Sequence, residues 1–180
     1  MRLMATTKHK RGITIHRAAD AQDFAATGFM SAPTMSPDAR QGFSQFSKAG
    51  GAEGAVVKVL AREEGGFSLV HVWFKANYPL PRHSHDSDCM YYVISGSAVM
   101  GNQMLRAGDA FFVPGDAPYQ YSAGPEGVEV LEVRHGTEHF DMKIPDASPE
   151  RWNAMAEAVA ANRDRWAREP VSPTFVANAG

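Results

Sequence analysis

The sequence predicts an all-β domain with an irregular amino-terminal extension and a carboxyl-terminal α-helix. Runs of Val, Phe, Tyr and Leu between residues 55 and 135 alternate with Gly- and Pro-containing turns. Strands this short, recurring at intervals of roughly 8 to 12 residues, are typical of an antiparallel sandwich or barrel. We expect an extension over residues 1–54, a β-domain over residues 55–145, and a helix with a tail over residues 146–180.

The extension is expected to lack regular structure because breaker residues interrupt it. From Ser31 to Gly54 the chain is rich in Ser, Pro, Gly and Ala. The breakers that interrupt any hydrophobic period are Pro33, Pro37, Gly42, Gly50, Gly51 and Gly54. Such a segment is either a loop that covers the β-domain or a lid or partner-contacting arm, and we favour the covering loop.

The carboxyl-terminal helix is predicted from its boundary signals and its period. Ser148 can cap the first turn, Pro149 suits the first helical position, and Pro170 ends the helix. The apolar residues of this helix fall on one stripe, which contains Trp152, Met155, Ala156, Val159 and Trp166. We expect this face to pack against the β-domain or a second subunit.

Several strands and turns can be placed within the β-domain. Ala110 to Val113 is expected to be a strand, and Gly101 with Asn102 suits a two-residue hairpin. The run Gly124 to Gly127 is expected to turn the chain before a last strand. His71 lies in a strand that is apolar on both faces. It is either a hydrogen-bonded histidine of a packed sheet or a ligand inside the domain, and the residues leave both alternatives open.

Composition and charge exclude several classes of function. The net charge of -2 gives no general attraction to phosphate backbones or anionic lipid, so neither nucleic acid nor membrane is an expected partner. The single cysteine, Cys89, excludes an intrachain disulfide and fits a reducing compartment. No signal-peptide core is present, and no stretch approaches the ~20 apolar residues of a membrane span. We therefore expect a cytoplasmic protein.

Two potential metal ligands, His83 and His85, occupy alternate positions immediately before a predicted strand. If this stretch is extended, their side chains leave the same face with Cα atoms about 6.6 Å apart. Both imidazoles can then reach one ion at bonds of about 2.1 Å. A helix would direct them nearly opposite ways, so the prediction depends on an extended backbone.

This stretch resembles the first motif of the cupin superfamily, which reads His, one residue, His, three or four residues, Glu, six residues, Gly. His83 and His85 match the two histidines, and Gly96 matches the final glycine. Cys89 occupies the position of the Glu. The spacing of the motif is therefore kept although one ligand type has changed.

The second cupin motif reads Gly, five residues, Pro, one residue, Gly, two residues, His. It matches the stretch from Gly108, with Pro114 in the proline position. Asp116 replaces the second glycine, and Tyr119 replaces the final histidine. The resemblance covers about residues 55–136 and implies a small jelly-roll β-barrel.

The resemblance also implies a bound divalent transition metal. Of the usual cupin ligands, the chain keeps His83 and His85. We expect Cys89 as a thiolate donor, which favours iron or zinc over magnesium or calcium, with nickel and manganese as alternatives. The residue that completes the site is left open among Cys89, Asp88, Tyr119, His71 and His135.

Thiol dioxygenases of the cupin superfamily are similar in carrying a Cys seven residues before the Gly, as Cys89 does here. The resemblance implies an oxidoreductase of the dioxygenase kind that acts on a small organic molecule. One alternative is a non-catalytic binding protein with a decayed metal site. The other is a metal-free sugar epimerase or isomerase, in which His83 or His85 would transfer protons with Tyr119.

Further site residues are expected inside the barrel. Tyr119 and His71 are the candidate catalytic residues. The candidate substrate-binding residues are Tyr91, Phe112, Tyr121 and His135. Two copies of the domain are expected to pair as a homodimer, because open sheet edges and the Trp-bearing helix need cover.

Overall fold

The computed structural model describes residues 12–135, 140–146 and 148–169, which form two β-sheets and two α-helices. The first eleven residues, His139 and the predicted tail lie outside this described part. The strands are β1 Gln22–Asp23, β2 Thr34–Met35, β3 Ala55–Arg62, β4 Phe67–Phe74, β5 Ser84–His85, β6 Cys89–Met100, β7 Gln103–Arg106, β8 Ala110–Val113, β9 Ser122–His135 and β10 Met142–Ile144. The helices are α1 Pro37–Lys48 and α2 Pro149–Trp166, with short 3-10 helices at Ala18–Asp20, Phe24–Ala26 and Gly51–Gly54. Neither α-helix has the length and apolar composition needed to cross a bilayer.

The larger sheet has seven strands in the order β1-β3-β4-β9-β6-β7, and β8 also pairs with β6. The smaller sheet has the order β2-β10-β5. The predicted class, mostly β with a carboxyl-terminal helix, is confirmed. The described strands do not close into one barrel, however. β5 is only two residues long, and His83 and Tyr119 beside it form a single isolated bridge, so the two sheets remain separate.

Alternate residues give the large sheet two distinct faces. Val70, Glu132, Tyr91 and Phe111 are successive partners in register across β4, β9, β6 and β8. Residues paired across strands share a face, so these four form one row on what we call the inner face. The residues next to these four in the sequence lie on the outer face, where Met90, Tyr92 and Phe112 are exposed.

The extension is not irregular, because α1 occupies twelve of its residues. The side chain of Ser36 accepts a hydrogen bond from the Ala39 N–H at 3.2 Å, and Pro37 lies in the first turn. Gly42 lies inside the helix, where a Cβ would overlap the ring of Trp152. The prediction was wrong here because Pro37 starts a helix and Gly42 permits close packing, although both residue types usually break helices.

α2 begins after Ser148 and ends before Pro170, as predicted. Its two tryptophans are buried within a single chain. Trp152 packs edge-on against Phe46 of α1, with ring centroids 6.2 Å apart. The indole N–H of Trp166 donates to the Ala76 carbonyl at 2.8 Å. These tryptophans therefore need no second subunit to cover them.

The turn predictions have opposite outcomes. The hairpin at Gly101 and Asn102 is confirmed, since Met100 pairs directly with Gln103. The turn at residues 124–127 is wrong, because β9 continues through it for 14 residues. Both halves of β9 pair with β6, with register shifts between them that accommodate the Gly-rich run.

Candidate functional site

A cavity of about 310 Å³ lies against the inner face of the large sheet. The small sheet and the amino-terminal extension complete its walls. Its lining is mostly apolar and includes Val70, Val72 and Phe74 of β4, Phe140, Met142 and Ile144, and Phe24, Met30, Phe43 and Phe46 of the extension. The imidazole and carboxylate groups in the lining are those of His83, His85 and Glu132. An apolar cavity with a few polar groups is the usual form of a small-molecule site.

His83 and His85 are brought together as the first motif predicts, with ring centroids 4.8 Å apart. The Nδ1–H of His83 donates to the Pro81 carbonyl at 2.8 Å. The Nδ1–H of His85 faces the Asp141 carbonyl at 3.3 Å. A carbonyl only accepts, so both rings carry their proton on Nδ1 and keep a lone pair on Nε2. Backbone partners of this kind orient histidines that bind metals.

Both histidines are neutral at physiological pH. Burial lowers the pKa of His83 to about 4 and that of His85 to about 2. For His85, the nearby His83 and Arg134 lower the pKa further. The pair is therefore in the protonation state in which imidazole binds a metal ion.

Tyr119, in the last position of the second motif, lies against the first motif. Its ring centroid is 4.5 Å from that of His83, and the two backbones exchange N–H···O bonds of 3.0 and 2.8 Å. The phenol groups of Tyr119 and Tyr91 are hydrogen bonded to each other. Burial raises the pKa of both phenols well above the usual value, so both are protonated at neutral pH.

Cys89 lies on the inner face of β6 and is 2% exposed. Burial, reinforced by the charge of Glu132, raises the pKa of its thiol to about 12. The thiol is therefore protonated at neutral pH in the absence of a metal. Within residues 12–135, 140–146 and 148–169, no group of three or more His, Cys, Asp or Glu is placed to hold an ion.

Glu132 is a charged residue of the cavity lining that the sequence analysis did not predict. Its carboxylate accepts a hydrogen bond from the Nη2 of Arg134. The guanidinium of Arg134 lies over the ring of Phe140, 3.4 Å from the centroid. Burial raises the pKa of Glu132, and the charge of Arg134 opposes this effect. The signal in the sequence was a charged pair two residues apart inside the apolar run of β9.

Of the nine predicted site residues, His83 and His85 are the two that line the cavity, and three of the others lie on the outer face of the large sheet. His71 lies on the outer face, where its Nε2 is 2.6 Å from Oε1 of buried Glu129. It is therefore a hydrogen-bonded histidine of a packed sheet. His135 is exposed, and Phe112 is 55% exposed on the outer face. Phe111 is on the inner face instead and stacks on Tyr91 with centroids 4.5 Å apart, because a shift of one residue along a strand reverses the face.

Other predicted positions have structural roles. Tyr121 lies in the interior, 2% exposed, and packs edge-on against Phe111. The carboxylate of Asp88 accepts a hydrogen bond from the Gly115 N–H at 2.8 Å and so connects the two motif loops. Asp116, which replaces the motif glycine, has a φ of 62°, a left-handed conformation that Asp tolerates better than most residues.

Comparison with known proteins gives likenesses to solved structures only. No family model matches the chain, and no curated protein matches it. KdgF from Halomonas sp. is 23% identical with a TM-score of 0.42, covering 47% of this chain and 82% of that protein. An RmlC-like cupin from Shewanella frigidimarina is 23% identical with a TM-score of 0.42, covering 48% and 80%. A putative dioxygenase from Nostoc punctiforme is 21% identical with a TM-score of 0.44, covering 49% and 32%. Each likeness covers about half of this chain.

Proposed function

We propose that this protein is a metal-dependent oxidoreductase of the dioxygenase kind, acting on a small organic molecule held in the cavity. The supporting observation is the pair of neutral imidazoles, His83 and His85, in the wall of an apolar cavity of about 310 Å³. Each ring is oriented by a backbone carbonyl, and each keeps an Nε2 lone pair. This is the arrangement that a site for a divalent transition metal needs from its histidines.

In this proposal His83 and His85 hold the metal, and Cys89 remains the candidate for a third donor. Two neutral nitrogen donors with at most one or two further ligands leave open positions on the ion, which is what oxygen and substrate require. A metal bound there would supply Lewis-acid or redox chemistry. The chain itself contributes the apolar walls, which bind the substrate and exclude water, and Tyr119, whose ring fixes the position of His83.

A second candidate is a non-catalytic protein that binds a small molecule in the same cavity. It is favoured by the donor set, since the described residues contain no group of three His, Cys, Asp or Glu placed around one point. The protonated state of the Cys89 thiol points the same way. The largely apolar lining disfavours the sugar epimerase alternative, because the many hydroxyl groups of a sugar would lack partners.

Metal content and oxygen uptake test the proposal together. Full-length protein purified without a His tag should carry close to one transition metal per chain, and His83→Ala and His85→Ala should carry almost none. His135→Ala, which removes an exposed histidine away from the cavity, is the matched control and should keep the metal.

Iron-loaded protein should then consume oxygen with at least one member of a panel of thiols, catechols and 1,3-diketones. The uptake should be lost in His85→Ala and kept in His135→Ala. Equal, substoichiometric metal in wild type and His83→Ala would refute the metal site. Absent oxygen uptake with tight binding of a panel member by metal-free protein would establish the second candidate instead.

A further inference from the structure

Among the described residues, Glu132 supplies the one carboxylate that lines the cavity. Its side chain keeps 12% of its exposure although it belongs to the inner face of a central strand. Oε2 accepts a hydrogen bond from Arg134, and the described residues supply no hydrogen bond to Oε1. A carboxylate oxygen enclosed by apolar walls without a donor is costly, so a donor from a bound molecule is the expected partner.

The two imidazoles in the cavity wall also present acceptors. His83 and His85 carry their protons on Nδ1 against backbone carbonyls, so each presents an Nε2 lone pair. These groups therefore favour a ligand that donates hydrogen bonds; the lining also includes the hydroxyls of Ser47, which already donates to the Phe43 carbonyl at 2.9 Å, and of Tyr78.

The charge of the site restricts which donor fits. An ammonium group beside Glu132 would also lie beside the guanidinium of Arg134, and a carboxylate would face another carboxylate. Arg134 already pairs with Glu132, so the pair adds no net charge when both are ionised. A neutral hydroxyl can donate to Oε1 of Glu132 without repulsion from the guanidinium or from the carboxylate.

We propose that the cavity binds a small molecule with an apolar body and a hydroxyl group, such as a phenol or an enol, whose O–H donates to Oε1 of Glu132. Arg134 is the positioning residue, because its bond to Oε2 directs the other oxygen toward the cavity. The apolar body packs against Val70, Phe74 and Phe140. This inference rests on the proposed function only in taking the cavity as the substrate site.

A matched pair of probes tests the donor requirement. 4-Methylphenol and 4-methylanisole have the same ring, but the methyl ether cannot donate a hydrogen bond. Titration calorimetry with metal-free, full-length protein should show 4-methylphenol binding about tenfold or more tightly, as expected for a hydrogen bond to a charged acceptor. Equal affinities, or no binding of either probe, would overturn the inference.

Variants assign the effect to Glu132. In Glu132→Gln, Arg134 should hold the amide oxygen, which leaves the NH2 group facing the cavity, so the preference for the phenol should fall to less than about threefold. Glu129→Gln is the control: it changes a buried carboxylate of the same strand that binds His71 and Ser95 on the outer face, and the preference should stay. A preference that survives in Glu132→Gln contradicts the inference.

If Glu132→Gln does not fold, the double variant Glu132→Met with Arg134→Met removes the buried pair as a unit and leaves no unpaired charge. The same loss of preference is expected. These measurements need no metal, so the donor requirement and the metal-dependent activity can fail separately. If oxygen uptake is absent, the preference for 4-methylphenol is still expected. If that preference is absent, oxygen uptake is still expected.

Discussion

Phe140 stacks on His85, with ring centroids 3.9 Å apart and ring planes inclined by 27°. The same phenyl ring carries the guanidinium of Arg134 at 3.4 Å from its centroid. Phe140 is 3% exposed and lines the cavity. One side chain therefore supports an imidazole of the proposed metal site and the arginine that holds Glu132.

Replacing Phe140 by alanine should be strongly destabilising. Loss of a buried phenyl ring usually costs about 3–5 kcal/mol of unfolding free energy. Phe112→Ala is the matched control, because Phe112 is 55% exposed on the outer face, and it should change stability by less than about 0.5 kcal/mol. Urea denaturation measures the unfolding free energy of both variants. Similar decreases in the two variants would show that Phe140 is not a core residue.

Metal-free protein should lose stability in mild acid through His83. Burial places the folded-state pKa at about 4, below the ordinary value of 6.5. Between these values the unfolded chain binds a proton that the folded chain does not, so the unfolding free energy falls as pH falls from 6.5 toward 4. Above pH 6.5 this histidine contributes no pH dependence.

The comparison of wild type with His83→Gln isolates that contribution. The wild type should lose about 2–3 kcal/mol more than the variant between pH 7.5 and pH 4.5. Urea denaturation at the two pH values measures both losses, and the effects of groups that do not interact with His83 cancel in the difference. Equal losses would mean that His83 is not buried as a neutral imidazole.

Gly96 of the first motif should not tolerate a side chain. Its φ is 70°, and a Cβ there would overlap the carbonyl oxygen of Gly127 on the paired strand. Gly101 has a similar φ of 59° with no atom within 4 Å of an added Cβ, so Gly101→Ala reports the backbone strain alone. We expect Gly101→Ala to cost about 1 kcal/mol and Gly96→Ala at least about 2 kcal/mol more. Equal costs in chemical denaturation would rule out the steric overlap.

Gly42→Ala should destabilise the protein although alanine favours helices. In an exposed helix this change stabilises by about 1 kcal/mol, but in α1 the added Cβ overlaps the Trp152 ring. Thermal unfolding should show a net loss of about 1–3 kcal/mol, as for other overpacked sites. Ser44→Ala, at an exposed position of the same helix, should be neutral or slightly stabilising. A stabilised Gly42→Ala would contradict the close packing of α1 on α2.

The strands and α2 were predictable because their signals are local. Ala110–Val113 ends at a proline, and Ser148 with Pro149 marks a helix start. α1 has the same Ser-Pro start, but Gly42 obscured it. That glycine is explained by Trp152, more than a hundred residues later in the chain, and a contact at this separation leaves no local pattern.

The candidate site was predictable where two motifs specify it. His83, His85 and Tyr119 lie together because the motif spacing brings two short extended segments side by side. Glu132 belongs to neither motif, and it reaches the cavity only through the register of β9 against β4 and β6. The choice between Phe111 and Phe112 likewise depends on one residue of register, which adjacent aromatics do not reveal.

The wall that α1 contributes to the cavity links ligand occupancy to the docking of the amino-terminal segment. A molecule in contact with Phe43 and Phe46 binds the docked form of α1 more tightly than an undocked one. The docking equilibrium must then shift by the same free energy that binding gains from these contacts. Amide hydrogen exchange in α1 should therefore slow as ligand concentration rises, so the backbone of this helix can report how far the cavity is occupied.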